Sequence, residues 1–292
     1  MFTKSLDEVS QFTLPVIISK RYMFGDVEAG CATFIILNSD GWILTSAHVL
    51  GDLLKAKEDA KKIKTYNDEL EKINSNSKLN AKQKNKQLSR HKNNSDPKWI
   101  LNHSYWWGRD GVTTKEWSFD PLSDLAISKL EPFDGSAIST YPRFRDLTNP
   151  LKPGTSLCRL GFPFHAVKAT FDESSNRFTL AEGTLPMPRF PSEGIHTRVA
   201  IIEDANTKRK TKFIETSSPG LRGQSGGPVF DTDGRVCGLQ SRTSHLPLGF
   251  SPTVIVGGKE IQENQFINVG LATHVEEIVR LLKEKSVSFK TA

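Results

Sequence analysis

Residues 223–241, GQSGGPVFDTDGRVCGLQS, carry a serine hemmed in by small and turn-forming residues. Gly223, Gly226 and Gly227 surround Ser225, and glycine is this dense where a backbone turns sharply or another group must approach closely. Pro228 stiffens the exit into Val229-Phe230, and Asp233-Gly234 reads as a turn into a second strand, Val236 to Leu239. Alone, the stretch is equally a glycine-rich hairpin with a bystander serine. The rest of the chain separates the two.

Working outward, the chain is mostly short strands. CATFIILNSDGWILTSAHVL (31–50) reads as strand, Ser-Asp-Gly turn, strand. DLAISKL, TSLCRLGF, NRFTLAEGTL, TRVAIIED, TKFIETS and NQFINVGLAT are further strand candidates, joined by proline-bearing loops. Many short strands with turns between them predict an all-β fold of closed antiparallel barrels. HVEEIVRLLKEK near the end places Val275, Ile278, Val279 and Leu282 at helical spacing, predicting an amphipathic helix packed on the body.

One segment breaks the pattern. Residues 52–95 are rich in helix formers, with NSNSKLN in the middle, and predict an inserted Lys-rich helical hairpin with only a thin apolar stripe. Residues 51–95 hold twelve Lys/Arg against six Asp/Glu, which equals the whole net charge of +6. A chain basic throughout, as a nucleic-acid binder would be, is thereby disfavoured. The hairpin lacks the interleaved aromatics of a base-stacking platform. It is expected to be a solvated appendage or a docking surface for a regulatory protein partner.

The 292 residues, 37% hydrophobic and 25% charged, suit a soluble globular protein of one large or two smaller domains. No apolar run approaches the roughly 18 residues of a membrane span. The start, MFTKSLDEVSQFTLPVIISK, lacks a signal-peptide core. Cys31, Cys158 and Cys237 are odd in number, widely spaced and set in apolar stretches, with no CxxC. Buried, reduced thiols and a cytoplasmic location are expected. No metal-ligand spacing and no cofactor motif is present.

A serine hydroxyl attacks only when a neighbouring base takes its proton and a third group orients that base. Of seven histidines, His48 has the telling setting, because GWILTSAHVL runs a strand into a small-residue turn ending on it. Asp124 in LSDLAISKL stands at the mouth of an apolar strand, where a carboxylate would be partly buried and able to accept a ring N–H. Asp120 and Asp110 have no such strand immediately after them.

TSAHVL, SDLAISKL and GQSGGPVF resemble, in that order, the His, Asp and Ser motifs of chymotrypsin-fold serine proteases. The protease domain of the HtrA (DegP-type) branch is the nearest likeness, over most of residues 10–50 and 120–285. The resemblance implies two six-stranded Greek-key barrels, 1–148 carrying the insert and 149–292 carrying the closing helix. It implies His48, Asp124 and Ser225 as catalytic residues of an intracellular, trypsin-like serine endopeptidase acting on protein substrates through an acyl-enzyme. It also implies an oxyanion hole from the N–H groups of Gly223 and Ser225, donors worth about 3 kcal/mol each. Val49 and Leu221 stand where digestive relatives have cysteines, and Gln224 replaces the aspartate that pairs with a freed N-terminus. A disulfide-free form without N-terminal activation follows; IVGG at 255–258 is taken as coincidence, and no PDZ module is expected after the closing helix.

The same resemblance puts Pro219 at the floor of the primary specificity pocket, six residues before Ser225, with Gln240, Ser241, Arg242 and Gly270 as walls. No acid lines it and Gly270 leaves room, so an apolar residue before the cut bond is expected, unless Arg242 turns inward to select an acidic one. Two alternatives compete. Gly223-Gln-Ser225-Gly-Gly227 also fits the nucleophile elbow of α/β-hydrolases, with His245 or His274 as base, but the intervening helices are missing. A non-catalytic scaffold recruiting partners through the hairpin is the other.

Overall fold

The computed structural model describes residues 1–292. Helix α1 (Thr3–Ser10) leads into β1 (Thr13–Tyr22), which hairpins into β2 (Val27–Ile36) and on to β3 (Trp42–Ser46). These are runs of Val, Ile, Thr and Phe, residues that fit a pleated, half-buried surface. β1 pairs with β2 from Thr13 opposite Ile35 to Arg21 opposite Val27, and β3 sets Leu44 opposite Ile35. A 3-10 turn, Ala47–Leu50, then delivers the chain into helices α2 (Gly51–Ser75) and α3 (Ala81–Lys92). The first sheet is completed by β4 (Ile100–Trp107), β5 (Thr113–Thr114), β6 (Ser118–Asp120) and β7 (Leu125–Glu131).

Its hydrogen-bonded order is β4-β1-β2-β3-β7-β5, with β6 also on β7. Aromatic packing brings its two ends together: Trp107 of β4 meets Trp117, just before β6, with ring centroids 5.3 Å apart. The aromatic run YWWGRDGVTTKEW is therefore largely barrel seam.

The second half contains β8 (Arg143–Phe144), β9 (Ser156–Gly161), β10 (Ala169–Asp172), β11 (Arg177–Leu180), β12 (Phe190–Glu203) and β13 (Lys210–Thr216). It continues with β14 (Pro228–Phe230), β15 (Arg235–Pro247), β16 (Thr253–Val256), β17 (Lys259–Gln262) and β18 (Phe266–His274). Helix α4 (Val275–Glu284) and β19 (Lys290–Thr291) close the chain. Six strands, β14-β9-β12-β13-β18-β15, form a complete ring because β14 pairs with both β9 and β15. This is the expected two-barrel, mostly-β fold, with a seventh strand in the first sheet. β8 already pairs with β15, so the change of sheet falls between Glu131 and Arg143, before residue 148. IVGG spans the end of β16 and its turn into β17, in an exposed hairpin far along the chain.

One apolar core joins both sheets, running from Phe34, Ile43 and Ile127 through Leu160, Phe230 and Val236. Val275, Ile278, Val279 and Leu282 of α4 are buried in it, as their spacing predicts. A polar clasp reinforces the junction. Asp120 on β6 accepts two hydrogen bonds from Arg209 (2.8 and 2.7 Å) and another from Arg280 of α4, while Arg209 also bonds Glu277 at 3.0 Å. Burial alone would raise the Asp120 carboxyl, but Arg209, Ser123 and Arg280 outweigh it and hold it well below the usual carboxylate range.

The folded protein thus binds a proton at Asp120 more weakly than the unfolded chain, whose aspartates titrate near ~3.9. The stabilisation is present above that value and is lost as pH falls through it towards the folded-state value. Asp120→Asn is expected to cost about 1–2 kcal/mol at pH 7, because two partly exposed guanidinium groups lose a charged partner while keeping Glu277 and Glu284. It should also flatten the decline of Tm on acidification. A variant with wild-type Tm at pH 7 would contradict the clasp.

The insert is a helical hairpin, as expected, and its break at NSNSKLN ends where Asn80 caps α3 in a reciprocal pair with Gln83 (both bonds 2.9 Å). Its base is more than an appendage. Asp59 of α2 is 1% exposed, bonds Lys55, and accepts the N–H of Ile100 at 3.0 Å, which fixes the start of β4. Ala56 packs with Tyr22 and Ile100. Further out, His91 stacks on Tyr66 at 4.3 Å between ring centroids.

Candidate active site

Strand β3 is held at the centre of the first sheet, and the 3-10 turn after it presents His48, whose side chain is half exposed. β7 begins beside the end of β3, with Leu125 opposite Ser46, so the residue before β7 faces that turn. That residue is Asp124, 7% exposed and at φ 55°. This left-handed backbone is uncommon outside glycine, though aspartate is among the residues that tolerate it best. It is held by the Asp124 carbonyl accepting the Ala47 N–H at 3.0 Å and by the Thr273 hydroxyl donating to the Ser123 carbonyl at 2.6 Å.

The Asp124 carboxylate is saturated with donors. Oδ2 lies 2.8 Å from His48 Nδ1 and accepts the Ser241 hydroxyl at 2.5 Å, while Oδ1 accepts the His48 backbone N–H at 3.0 Å. Burial pushes this carboxyl up, but the His48 and Ser241 contacts outweigh it and keep its pKa below the ordinary carboxylate value. An ionised Asp124 fixes a proton on Nδ1 of His48 and leaves Nε2 as the free acceptor.

The glycines of 223–227 answer to close approaches. Gly226, at φ +81°, lies against the first sheet, where an added Cβ would collide with the Thr33 carbonyl and the Thr45 hydroxyl. Gly223, at φ +95°, presses on the Phe162 carbonyl, and its own carbonyl accepts the Thr33 hydroxyl at 2.7 Å and the Phe162 N–H at 3.2 Å. The Ser225 carbonyl accepts the Thr33 N–H at 2.9 Å, so β2 carries the serine loop from below. The amides of Gln224, Gly226 and Gly227 bond Leu221, Gln240 and Gln224 carbonyls, whereas those of Gly223 and Ser225 have no acceptor. The loop therefore offers two free N–H groups beside the serine.

Gln224 is fully buried and does a different job from an ion-paired aspartate. Its Oε1 accepts the Leu221 N–H and its Nε2 donates to Ser192, both at 3.0 Å, so it braces the loop from within.

Other sequence-predicted residues separate into neighbours and bystanders. Asp120 belongs to the clasp, and Asp110 accepts the Trp106 indole at 2.6 Å. His245 faces Asn268 on the exposed part of β15, and His274 caps α4 by accepting the Glu276 N–H at 3.1 Å. Neither suits an α/β-hydrolase base, and sheets paired antiparallel apart from the short contacts of β8 exclude that parallel-sheet fold. Ser241, expected in the pocket wall, is engaged with Asp124. Arg242 is exposed, its guanidinium 5.0 Å from the centroid of the Phe213 ring. Gly270 is not open space, since a Cβ there would lie 2.6 Å from Arg159 Nη2. Pro219 offers its carbonyl to the same guanidinium at 3.0 Å. No sequence motif marks Arg159, a lone arginine inside the apolar strand TSLCRLGF.

All three cysteines are free. Cys158 and Cys237 are buried as expected, whereas Cys31 is only partly so, its Sγ 3.2 Å from the Phe162 carbonyl. Burial pushes the thiols of Cys31 and Cys158 up to about 11 and that of Cys237 to about 12, which leaves them protonated at neutral pH.

The model of the trypsin-like peptidase domain family matches residues 32–239, most of the chain. The chain belongs to that family. The peptidase is thus a serine hydrolase of peptide bonds by descent, with the chymotrypsin-like fold described above. Among solved structures, the Rv3671c protease of M. tuberculosis in its active form aligns with TM-score 0.49 at 12% identity, over 99% of the peptidase and 86% of that chain. The HtrA-type protease AlgW with a tripeptide aligns with TM-score 0.49 at 13% identity, over 98% of the peptidase and 64% of that chain. No curated protein matches the peptidase. No helix is long and apolar enough to cross a membrane.

Proposed function

We propose that the peptidase is an endopeptidase of protein substrates in which Ser225 is the nucleophile, His48 the general base and Asp124 the acid that orients it. The observation that carries this is the His48–Asp124 contact next to a serine loop with two unpaired amides. With Nδ1–H held by Asp124, His48 Nε2 takes the Ser225 proton as Oγ attacks the scissile carbonyl. The carbonyl oxygen gains charge and is met by the N–H groups of Gly223 and Ser225. The protonated imidazole then gives its proton to the leaving amine, and water repeats the sequence on the acyl-enzyme. Ser225 Oγ makes no hydrogen bond to His48 here; such catalytic contacts commonly tighten only with substrate bound.

Three free cysteines favour a reducing, intracellular setting for this chemistry. Purified peptidase incubated with a denatured proteome is expected to create new protein N-termini that are missing with a Ser225→Ala control. A wild-type digest indistinguishable from the control would refute the endopeptidase assignment.

The hairpin supports a second role, as a regulatory docking surface, because it leaves the body immediately after the His48 turn and carries the chain's excess positive charge. Its outer part can be tested separately from its anchored base. Replacing residues 70–86 by a short Gly-Ser linker retains Asp59, Ala56 and the Tyr66–His91 stack. The variant is expected to keep wild-type Tm within a few degrees and to cleave small peptides within a few-fold. Failure to fold would show that the hairpin tip is part of the core.

A further inference from the structure

Arg159, in the middle of β9, is the largest side chain shut away from solvent, at 1% exposure. Its guanidinium reaches under the segment that precedes the serine loop. Nη1 donates to the Ser218 hydroxyl at 2.9 Å and the Pro219 carbonyl at 3.0 Å; Nη2 donates to the Ser218 carbonyl at 2.7 Å and to the Thr216 hydroxyl. Every acceptor is neutral. No carboxylate pairs with it, although buried charges are otherwise paired in proteins. Burial lowers the guanidinium to about 10, so it remains charged at neutral pH.

The surroundings are unusual in a second way. Only three buried side-chain polar atoms lack a partner: Arg159 Nε, His196 Nε2 and Gln240 Oε1. All three flank residues 216–220. Arg159 bonds Thr216, Ser218 and Pro219; His196 is the strand partner of Thr216; and the Gln240 carboxamide lies against Gly220. Buried polar groups left short of partners in a native protein call for an explanation. Gly270 fits the same picture, because a side chain there would displace the guanidinium and the Ser218 carbonyl. The floor beneath Pro219 is thus built around a cation with one N–H in reserve and no counter-ion.

We infer that Arg159 sets the cleavage specificity, its Nε–H, the one guanidinium donor the neighbouring loop leaves free, donating to the side-chain carboxylate of an aspartate or glutamate placed before the scissile bond. This rests on Ser225 being the nucleophile and on the family resemblance, which implies Pro219 and Gly270 at the primary pocket. An apolar side chain would leave the cation as uncompensated as before, and a lysine or arginine would add like charge. Arg242 cannot serve as it stands, since it lies outside over Phe213.

The test uses the full-length chain, a peptide library varied at the residue before the cut, and a fluorophosphonate probe with its adduct mapped by mass spectrometry. Aspartate and glutamate are expected to exceed asparagine and glutamine by about 10²-fold or more in kcat/KM, the scale at which a buried polar pocket rejects an analogue lacking its partner. Arg159→Met should reduce that acid-to-amide ratio to within a few-fold of one. Arg159→Lys should lower it by at least about 10-fold, because one ammonium cannot both hold the Thr216, Ser218 and Pro219 acceptors and supply the reserve Nε–H. If the methionine variant does not fold, the wild-type profile and the lysine variant decide. Wild-type preference for apolar or basic residues, or an acid-to-amide ratio unchanged in the folded variants, overturns the inference. Wild-type protein whose Ser225 takes the probe but cuts no acidic peptide also overturns it. Absence of probe at Ser225 sinks the nucleophile assignment instead.

Discussion

Ser225→Ala is expected to lower peptide hydrolysis about a million-fold while leaving the fold intact, the penalty seen when a serine nucleophile of a comparable triad is removed. The methyl group fits because the Ser225 hydroxyl bonds nothing in the protein, and the backbone contacts that hold the loop, to Thr33, Gln240 and Gln224, do not involve it. His48→Ala should cost about as much, since without the base the hydroxyl stays protonated and the two losses are not additive. A Ser225→Ala protein that retains more than about a thousandth of wild-type kcat/KM, with hydrolysis by contaminants excluded, would contradict the assignment.

Asp124→Asn is expected to cost about 10⁴-fold in kcat. Its carboxylate receives three donors: the His48 ring N–H, the His48 backbone N–H and the Ser241 hydroxyl. An asparagine offers one acceptor oxygen and one NH₂, so either orientation turns a donor towards a donor. With the NH₂ facing the ring, imidazole adopts the other tautomer and Nε2 carries a proton, leaving no base for Ser225. With the NH₂ facing the backbone amide, the turn carrying His48 is pushed out of place. The measurement is kcat/KM on a peptide cleaved by the wild type, with Tm as control. Activity within ten-fold of wild type in a folded variant would show that Asp124 does not orient the base.

The local settings of His48, Asp124 and Ser225 were legible in the chain because each sits in a short motif whose geometry is set by neighbours in sequence. A strand running into a turn positions His48, an apolar strand start positions Asp124, and a glycine cluster positions Ser225. The strands with turn-flanked apolar runs, β2, β3, β7, β9 and β18 among them, were legible for the same reason. What escaped is what distant residues do for one another. Ser241 read as pocket wall, yet it is committed to Asp124, 117 positions away. Gln224 read as the loss of an ion pair, and only its contact with Ser192 shows what replaces it. Arg159 gave no sign of its place, because its burial depends on β9, β12, β13 and β18 closing a ring around it. The insert was found by composition, but its anchoring through Asp59 depends on Ile100, 41 residues further on.

The most direct measurement is to treat the intact protein with a fluorophosphonate and map the adduct by mass spectrometry, in the wild type and in His48→Ala. An activated Ser225 should take up one equivalent, on that residue and no other serine, and the His48→Ala protein should label slower by several orders of magnitude. A folded wild type that takes up no label at Ser225, or labels equally fast without His48, would contradict the catalytic assignment.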